Sequence, residues 1–97
     1  MRKYEIMYIL KADLDEASRK AELDKVLGLL TKNGAKIESV DETTFGLREL
    51  AYEINDETKG FYVVAKVEAE AAALYEHNRK IRHNANVLRH LVVNEDK

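Results

Sequence analysis

The sequence contains no cysteine, no proline and no tryptophan among its 97 residues. The lack of cysteine excludes disulfides, thiolate nucleophiles and thiolate metal ligands, and it is typical of a protein from a reducing compartment. Because prolines, repeats and low-complexity segments are all missing, nothing indicates a linker between domains. We therefore expect a single domain over residues 1–97, which ends in a polar tail at 94–97.

Long apolar runs and an excess of positive charge are also missing. The apolar run at residues 6–10 is too short to span a membrane and no cleavage site follows it, so the sequence predicts a cytoplasmic protein without a membrane partner. The formal net charge is −2, from 16 basic and 18 acidic side chains. This balance argues against a protein that coats nucleic acid by bulk electrostatics, so any such contact must be a local patch.

The sequence carries no recognisable catalytic or metal-binding constellation. Its histidines, His77, His83 and His90, lack the spacing of a zinc site, and the first two do not share a helix face. The segment 11–13 has no glycine to cradle a phosphate and carries an acid, Asp13, where an anion-binding loop needs bare amides. We therefore predict no enzymatic activity, no metal, no cofactor and no small-molecule substrate.

Residue periodicity predicts alternating strands and helices along the chain. They are a strand at 3–10, a helix from Asp13 or Asp15 to about Asn33, strands at 35–40 and 45–54, a polar turn at 55–60, a strand at 61–68, a helix at 70–82 and a strand at 87–93. The order β-α-β-β-α-β predicts an α+β, ferredoxin-like two-layer sandwich. In that fold a four-stranded antiparallel sheet carries two helices on one face.

The other face of this sheet is expected to be open and apolar. Because side chains alternate along a strand, the cations Lys3, Lys66 and Arg89 indicate which residues point away from the helices. The apolar residues assigned to this outward face are Met7, Ile9, Tyr62, Val64, Leu91 and Val93, with Val87 on the same side. A contiguous apolar patch commonly marks a partner-binding surface, although single exposed apolar residues are normal.

Four segments resemble the bacterial small-subunit ribosomal protein S6 family in their order and spacing. They are Met1-Arg2-Lys3-Tyr4-Glu5-Ile6, then Gly46-Leu47-Arg48 with Leu50-Ala51-Tyr52-Glu53-Ile54-Asn55-Asp56, then Gly60-Phe61-Tyr62, and finally Val87-Leu88-Arg89-His90-Leu91-Val92-Val93. The resemblance covers essentially the whole chain. Glu49 departs from the family, which usually has a basic or neutral polar residue there.

The resemblance implies a structural, non-catalytic component of the small ribosomal subunit that binds 16S rRNA together with ribosomal protein S18. Carried over residue by residue, it implies that Arg2, Lys3, Tyr4, Arg48 and Arg89 contact RNA. Arginine and lysine would position the protein on the RNA backbone without reading its sequence. The open apolar face would then bind S18.

Two other functions fit the same topology. The first is a ferredoxin-like regulatory or self-associating module, which would use its open sheet face to bind another copy or a small ligand. The second is an enzyme of acylphosphatase type, which the missing phosphate loop disfavours. Dimerisation through Met7, Ile9 and Tyr62 without binding to RNA or to S18 would favour the self-associating module.

Overall fold

Strands and helices follow one another in the predicted order. The computed structural model describes residues 2–54, 57–84 and 86–94, with only the backbone of Thr43. The elements are β1 (Arg2–Lys11), α1 (Glu16–Thr31), β2 (Lys36–Ile54), β3 (Glu57–Ala69), α2 (Ala71–Ile81) and β4 (Val87–Asn94). The strand order is β2-β3-β1-β4 and neighbouring strands are antiparallel, which confirms the ferredoxin-like α+β fold. Of the predicted polar tail, residues 95–97 lie outside the described residues.

Helix α1 begins and ends close to the residues that its sequence indicates. Asp15 is the N-cap, and its Oδ1 accepts a hydrogen bond from the backbone N–H of Ser18 at 2.7 Å. The chain leaves the helix through Gly34, whose φ of +90° is a conformation that L side chains rarely adopt. The buried stripe of the helix consists of Leu23, Val26 and Leu30.

The core lies between the two helices and the inward face of the sheet. The strand residues that are fully buried there are Ile6, Tyr8, Leu10, Val63, Ala65, Val67 and Ala69. These residues stand at every second position of β1 and β3. Their side chains therefore point to the same face of the sheet, as the alternation of side chains along a strand predicts. Helix α2 contributes Ala73, Leu74 and Ile81 to the same cluster.

The β2–β3 hairpin is longer than predicted. Strand β3 begins at Glu57 rather than at Phe61, so much of the predicted turn at 55–60 is paired strand, while Asn55 and Asp56 lie outside the described residues. Thr58 and Lys59 are exposed although they lie in the strand. Because strand residues that are not buried can be polar, the sequence of this segment does not show the alternation by which a strand is recognised. The β2 register shifts between Asp41 and Gly46, so the sheet can be counted as four strands or as five strand segments.

Strand β4 contains a bulge that reverses one predicted orientation. Tyr8 pairs with His90 and Ile9 with Arg89, but Leu10 pairs with Val87, so Leu88 is the extra residue. Val87 is consequently buried on the core side and does not share the outward face with Arg89. The alternation of residues in the sequence cannot reveal this shift, because the extra residue of a bulge reverses the face to which the residues beyond it point.

The turn between α2 and β4 is anchored by a carboxylate of α1. Glu22 accepts hydrogen bonds from the side-chain amides of Asn84 at 2.8 Å and Asn86 at 2.9 Å. These two bonds hold the pKa of Glu22 below its usual range, because they stabilise the charged form. The end of the helix that the sequence predicts at 84–86 is therefore stabilised by a contact with another helix, α1. Ala85, the middle residue of this segment, lies outside the described residues.

Candidate binding surfaces

The sheet face opposite the helices holds the apolar residues that the sequence assigns to it. The strand register places Met7 beside Val64 and Leu91, and Ile9 beside Tyr62 and Arg89. We call this surface the open face; its residues are Lys3, Glu5, Met7 and Ile9 of β1, Tyr62, Val64, Lys66 and Glu68 of β3, and Arg89, Leu91 and Val93 of β4.

The six predicted partner-binding residues differ widely in exposure. Leu91 and Val93 on the edge strand β4 are 54% and 57% exposed, and Met7 and Tyr62 are half-buried. The expectation that all six would be exposed is wrong for Ile9 and Val64, because each is only 7% exposed. The accessible part of the open face therefore lies towards β4.

Ile9 is buried beside the backbone of Gly60 and close to the end of the β2–β3 hairpin. We call residues 50–54 the hairpin tip; in this segment Leu50, Tyr52 and Ile54 alternate with Ala51 and Glu53. A Cβ at Gly60 would overlap the Cγ2 of Ile9 and would lie 3.2 Å from the Cδ2 of Leu50. Ile9 is thus packed against a bare backbone and a leucine, and it is not free to meet a partner.

A hydrogen bond joins the hairpin tip to the edge strand β4. The Nη1 of Arg89 donates to the Tyr52 hydroxyl, and the guanidinium carbon lies 5.4 Å from the centroid of the Tyr52 ring. The tip and the open face together enclose a groove of about 200 Å³. We call this the open-face groove; its lining includes Met7, Ile9, Leu50, Tyr52, Tyr62 and Leu91.

The predicted RNA contacts at the start of the chain separate into two groups. Arg2 and Lys3 are exposed at the beginning of β1. Tyr4 is only 9% exposed and belongs to the core cluster, so little of its side chain is available to contact RNA. The prediction for Tyr4 is corrected on this ground: its position in the alternation places it on the helix side, with Ile6 and Tyr8.

The other two predicted RNA contacts lie at the opposite end of the sheet. Arg89 pairs with Ile9, and β1 rises by roughly 3.3 Å per residue, so Arg89 is roughly 23 Å from Arg2 along the strands. The Nε of Arg48 donates to the carbonyl of Phe45 at 2.9 Å, and its guanidinium lies over the Phe45 ring. Glu49 is opposite Lys59 in the register. The predicted cations therefore do not form one cluster.

A buried polar cluster that the sequence pattern does not reveal joins α2 to the sheet. The Nε2 of His77 and the hydroxyl of Tyr8 are 2.6 Å apart, and the His77 Nδ1 lies 2.9 Å from the side-chain oxygen of Asn78. The ring of His90 meets His77 edge-on at 5.9 Å between centroids. Burial lowers the pKa of His77 and of His90 and raises the pKa of Tyr8, because it disfavours each charged form.

Neither a metal centre nor a membrane span is found in the described part of the chain. No cluster of three or more histidines and carboxylates could hold a metal ion among residues 2–54, 57–84 and 86–94. Neither α1 nor α2 is long and apolar enough to cross a membrane.

Comparisons with known proteins agree with this geometry. The family model for ribosomal protein S6 matches residues 3–94. The crystal structure of 30S ribosomal protein S6 from Thermotoga maritima is 25% identical in sequence and superimposes with a TM-score of 0.87, covering 97% of this chain and 87% of that one. The chain therefore belongs to the ribosomal protein S6 family, and it is a small-subunit ribosomal protein with a structural rather than an enzymatic role.

Proposed function

We propose that this protein binds 16S rRNA jointly with ribosomal protein S18, as a cytoplasmic, ribosome-associated component of the small subunit. The observation that carries the proposal is the exposed apolar pair Leu91 and Val93 beside the open-face groove. Large apolar side chains that remain exposed next to a groove are typical of a surface that a partner covers.

The apolar surface is suited to a protein partner rather than to RNA. Leu91 lies opposite Met7 in the register, so the apolar surface continues from β4 onto β1, whereas Val93 lies opposite the charged Glu5. Tyr52 of the hairpin tip is 59% exposed and extends this surface beyond the sheet. Burial of large apolar and aromatic side chains supplies most of the binding energy at such interfaces.

The charge distribution supports RNA binding that is shared between two proteins. With a net charge of −2 the chain has little bulk attraction for a polyanion, so it depends on local cations and on a partner. Arg2, Lys3, Arg48 and Arg89 are the proposed backbone contacts. Because they lie towards opposite ends of the sheet, they would meet separate parts of the RNA.

The partner surface is tested by introducing charge at the two exposed positions of β4. A Leu91→Asp/Val93→Asp double variant should bind S18 at least about tenfold more weakly in isothermal titration calorimetry, because the partner would bury two carboxylates. Tyr75→Asp is the matched control, since Tyr75 is 65% exposed on α2. Ile9 is unsuitable for this purpose, because a charge at a buried position would disturb the fold.

Equal affinity of the double variant, the control and the wild type would contradict the assignment of the open face. If the wild-type protein does not bind S18 but forms a dimer, and the double variant does not dimerise, the self-associating module is the correct function. Analytical ultracentrifugation of the same samples distinguishes these outcomes.

A further inference from the structure

We propose that a second surface of this protein, the groove between the end of α2 and strand β4, binds the phosphate backbone of RNA through Arg82. The inference rests on the proposed function, because it assigns a further contact to the same RNA. We call this surface the α2–β4 groove; it measures about 390 Å³, and its lining includes Arg82, His83, Asn84, Leu88, Arg89 and His90.

Arg82 lies on the flank of α2 that overhangs the edge strand. Tyr75, Asn78 and Arg82 are spaced i, i+3 and i+7 and therefore share one side of the helix. Arg82 lines the groove together with the β4 residues, whereas Lys80 lines a different groove that faces α1. The two cations near the helix end thus point into different surroundings.

The charges around Arg82 distinguish this groove from the one beside it. No carboxylate is among the residues that line the α2–β4 groove, whereas Glu22 lines the groove that contains Lys80. Within the described residues the guanidinium of Arg82 has no hydrogen-bond or ion-pair partner, and only its backbone N–H is bonded, to the carbonyl of Lys80, while the neighbouring Arg79 is paired with Glu76 at 2.9 Å. In a chain with 18 acidic side chains, an arginine left without a carboxylate is available to an external anion.

The guanidinium of Arg82 lies close enough to His90 to disfavour a positive charge on that ring. The pKa of His90 is lowered first by burial and second by the nearby positive charge of Arg82. A phosphate in the groove would supply the missing negative charge.

The donors of the groove match the chemistry of a phosphodiester. A guanidinium presents a planar fork of N–H donors that bonds two phosphate oxygens at once, and the ring of His83 in the same lining can add a further donor. Such contacts position a protein on the backbone and carry no base specificity. Arg89 lines both the α2–β4 groove and the open-face groove, so the two surfaces meet at the edge of β4.

The test compares two variants that each remove one positive charge from the same helix end. Binding of wild type, Arg82→Gln and Lys80→Gln to 16S rRNA in the presence of S18 is measured by filter binding over a series of KCl concentrations. Arg82→Gln should bind about tenfold more weakly and should reduce the slope of log affinity against log salt by about 1. Lys80→Gln should leave the slope unchanged, and Arg82→Lys should restore it.

The loss should be the same on an RNA of random sequence, because a backbone contact does not read bases. If wild type binds but Arg82→Gln keeps its affinity and its slope, the α2–β4 groove is not an RNA contact and the proposed function stands. If wild type itself does not bind 16S rRNA, the proposed function fails and this inference fails with it. Circular dichroism of each variant establishes that the exposed substitutions leave the fold intact.

Discussion

At the scale of single residues, the buried His77 fastens α2 to the sheet. Its ring is fully buried, and it contacts Tyr8 of β1, His90 of β4 and Asn78 of its own helix, while Arg82 lies close to His90. The sequence offered no way to find this cluster, because His77 stands among alanines and polar residues on a weakly patterned helix. Because burial disfavours the positively charged ring, the folded protein favours the neutral form of His77.

The first prediction concerns the pH dependence of stability. Since burial lowers the pKa of His77 in the folded state, the unfolded chain takes up a proton more readily. The free energy of unfolding should therefore be highest above the ordinary histidine pKa of about 6.5 and should fall as the pH falls through it. Urea unfolding between pH 7.5 and 5 should show a smaller loss for His77→Gln, and identical pH profiles would refute this role of His77.

The second prediction contrasts two glycines. Gly60→Ala should lower the free energy of unfolding by about 1–3 kcal/mol, because its Cβ would overlap Ile9 in a packed strand. Gly28→Ala lies in the last turn of α1 with no atom within 4 Å of the new Cβ, so it should stabilise the protein by about 0.5–1 kcal/mol. Urea denaturation measures both, and a Gly60→Ala protein as stable as wild type would show that Ile9 does not pack tightly on the backbone of Gly60.

At the scale of elements, local chemistry decides which parts of the fold the sequence could predict. Strand β1 and helix α1 were predicted closely because their periodicity and the N-cap at Asp15 are local features. The sequence did not predict that β3 begins as early as Glu57 or that the Val87 side chain points towards the core. Both features depend on how a strand pairs with its neighbour, through a longer hairpin in one case and a bulge in the other. The hairpin tip is the most consequential of these, since it lines a groove together with Ile9.

The third prediction tests the N-cap of α1. Asp15→Ala should lower the thermal midpoint by roughly 5 °C, because it removes the acceptor for the Ser18 N–H. That hydrogen bond lowers the pKa of Asp15, so its contribution should disappear as the pH falls through the folded-state pKa. Asp13→Ala removes the same charge outside the cap and should change the midpoint much less in a calorimetric scan.

The fourth prediction concerns the hairpin tip. Tyr52→Ala removes the hydroxyl that accepts from Arg89, and it should weaken the nuclear Overhauser contacts between the methyl groups of Leu50 and Ile9. Because Tyr52 is 59% exposed, global stability should change by no more than about 0.5 kcal/mol. Tyr52→Phe keeps the ring and should have an intermediate effect. Unchanged contacts in both variants would mean that Leu50 alone holds the tip.

At the scale of the whole molecule, the fold and the family were accessible from the sequence, while the arrangement of the binding surfaces was not. The order of elements and four matching segments were enough for the ribosomal protein S6 family, which the family model confirms over residues 3–94. The separation of Arg2 from Arg89 and the burial of Tyr4, Ile9 and Val64 appear only in three dimensions. Arg82 was overlooked because its groove is formed by two elements.

The most direct test of the account is the affinity for 16S rRNA measured with and without S18. A chain with net charge −2, few grouped cations and an exposed apolar edge should bind the RNA strongly only when S18 is present. The Leu91→Asp/Val93→Asp variant should lose this S18-dependent gain. Strong binding without S18, or no gain when S18 is added to the wild type, would contradict the account.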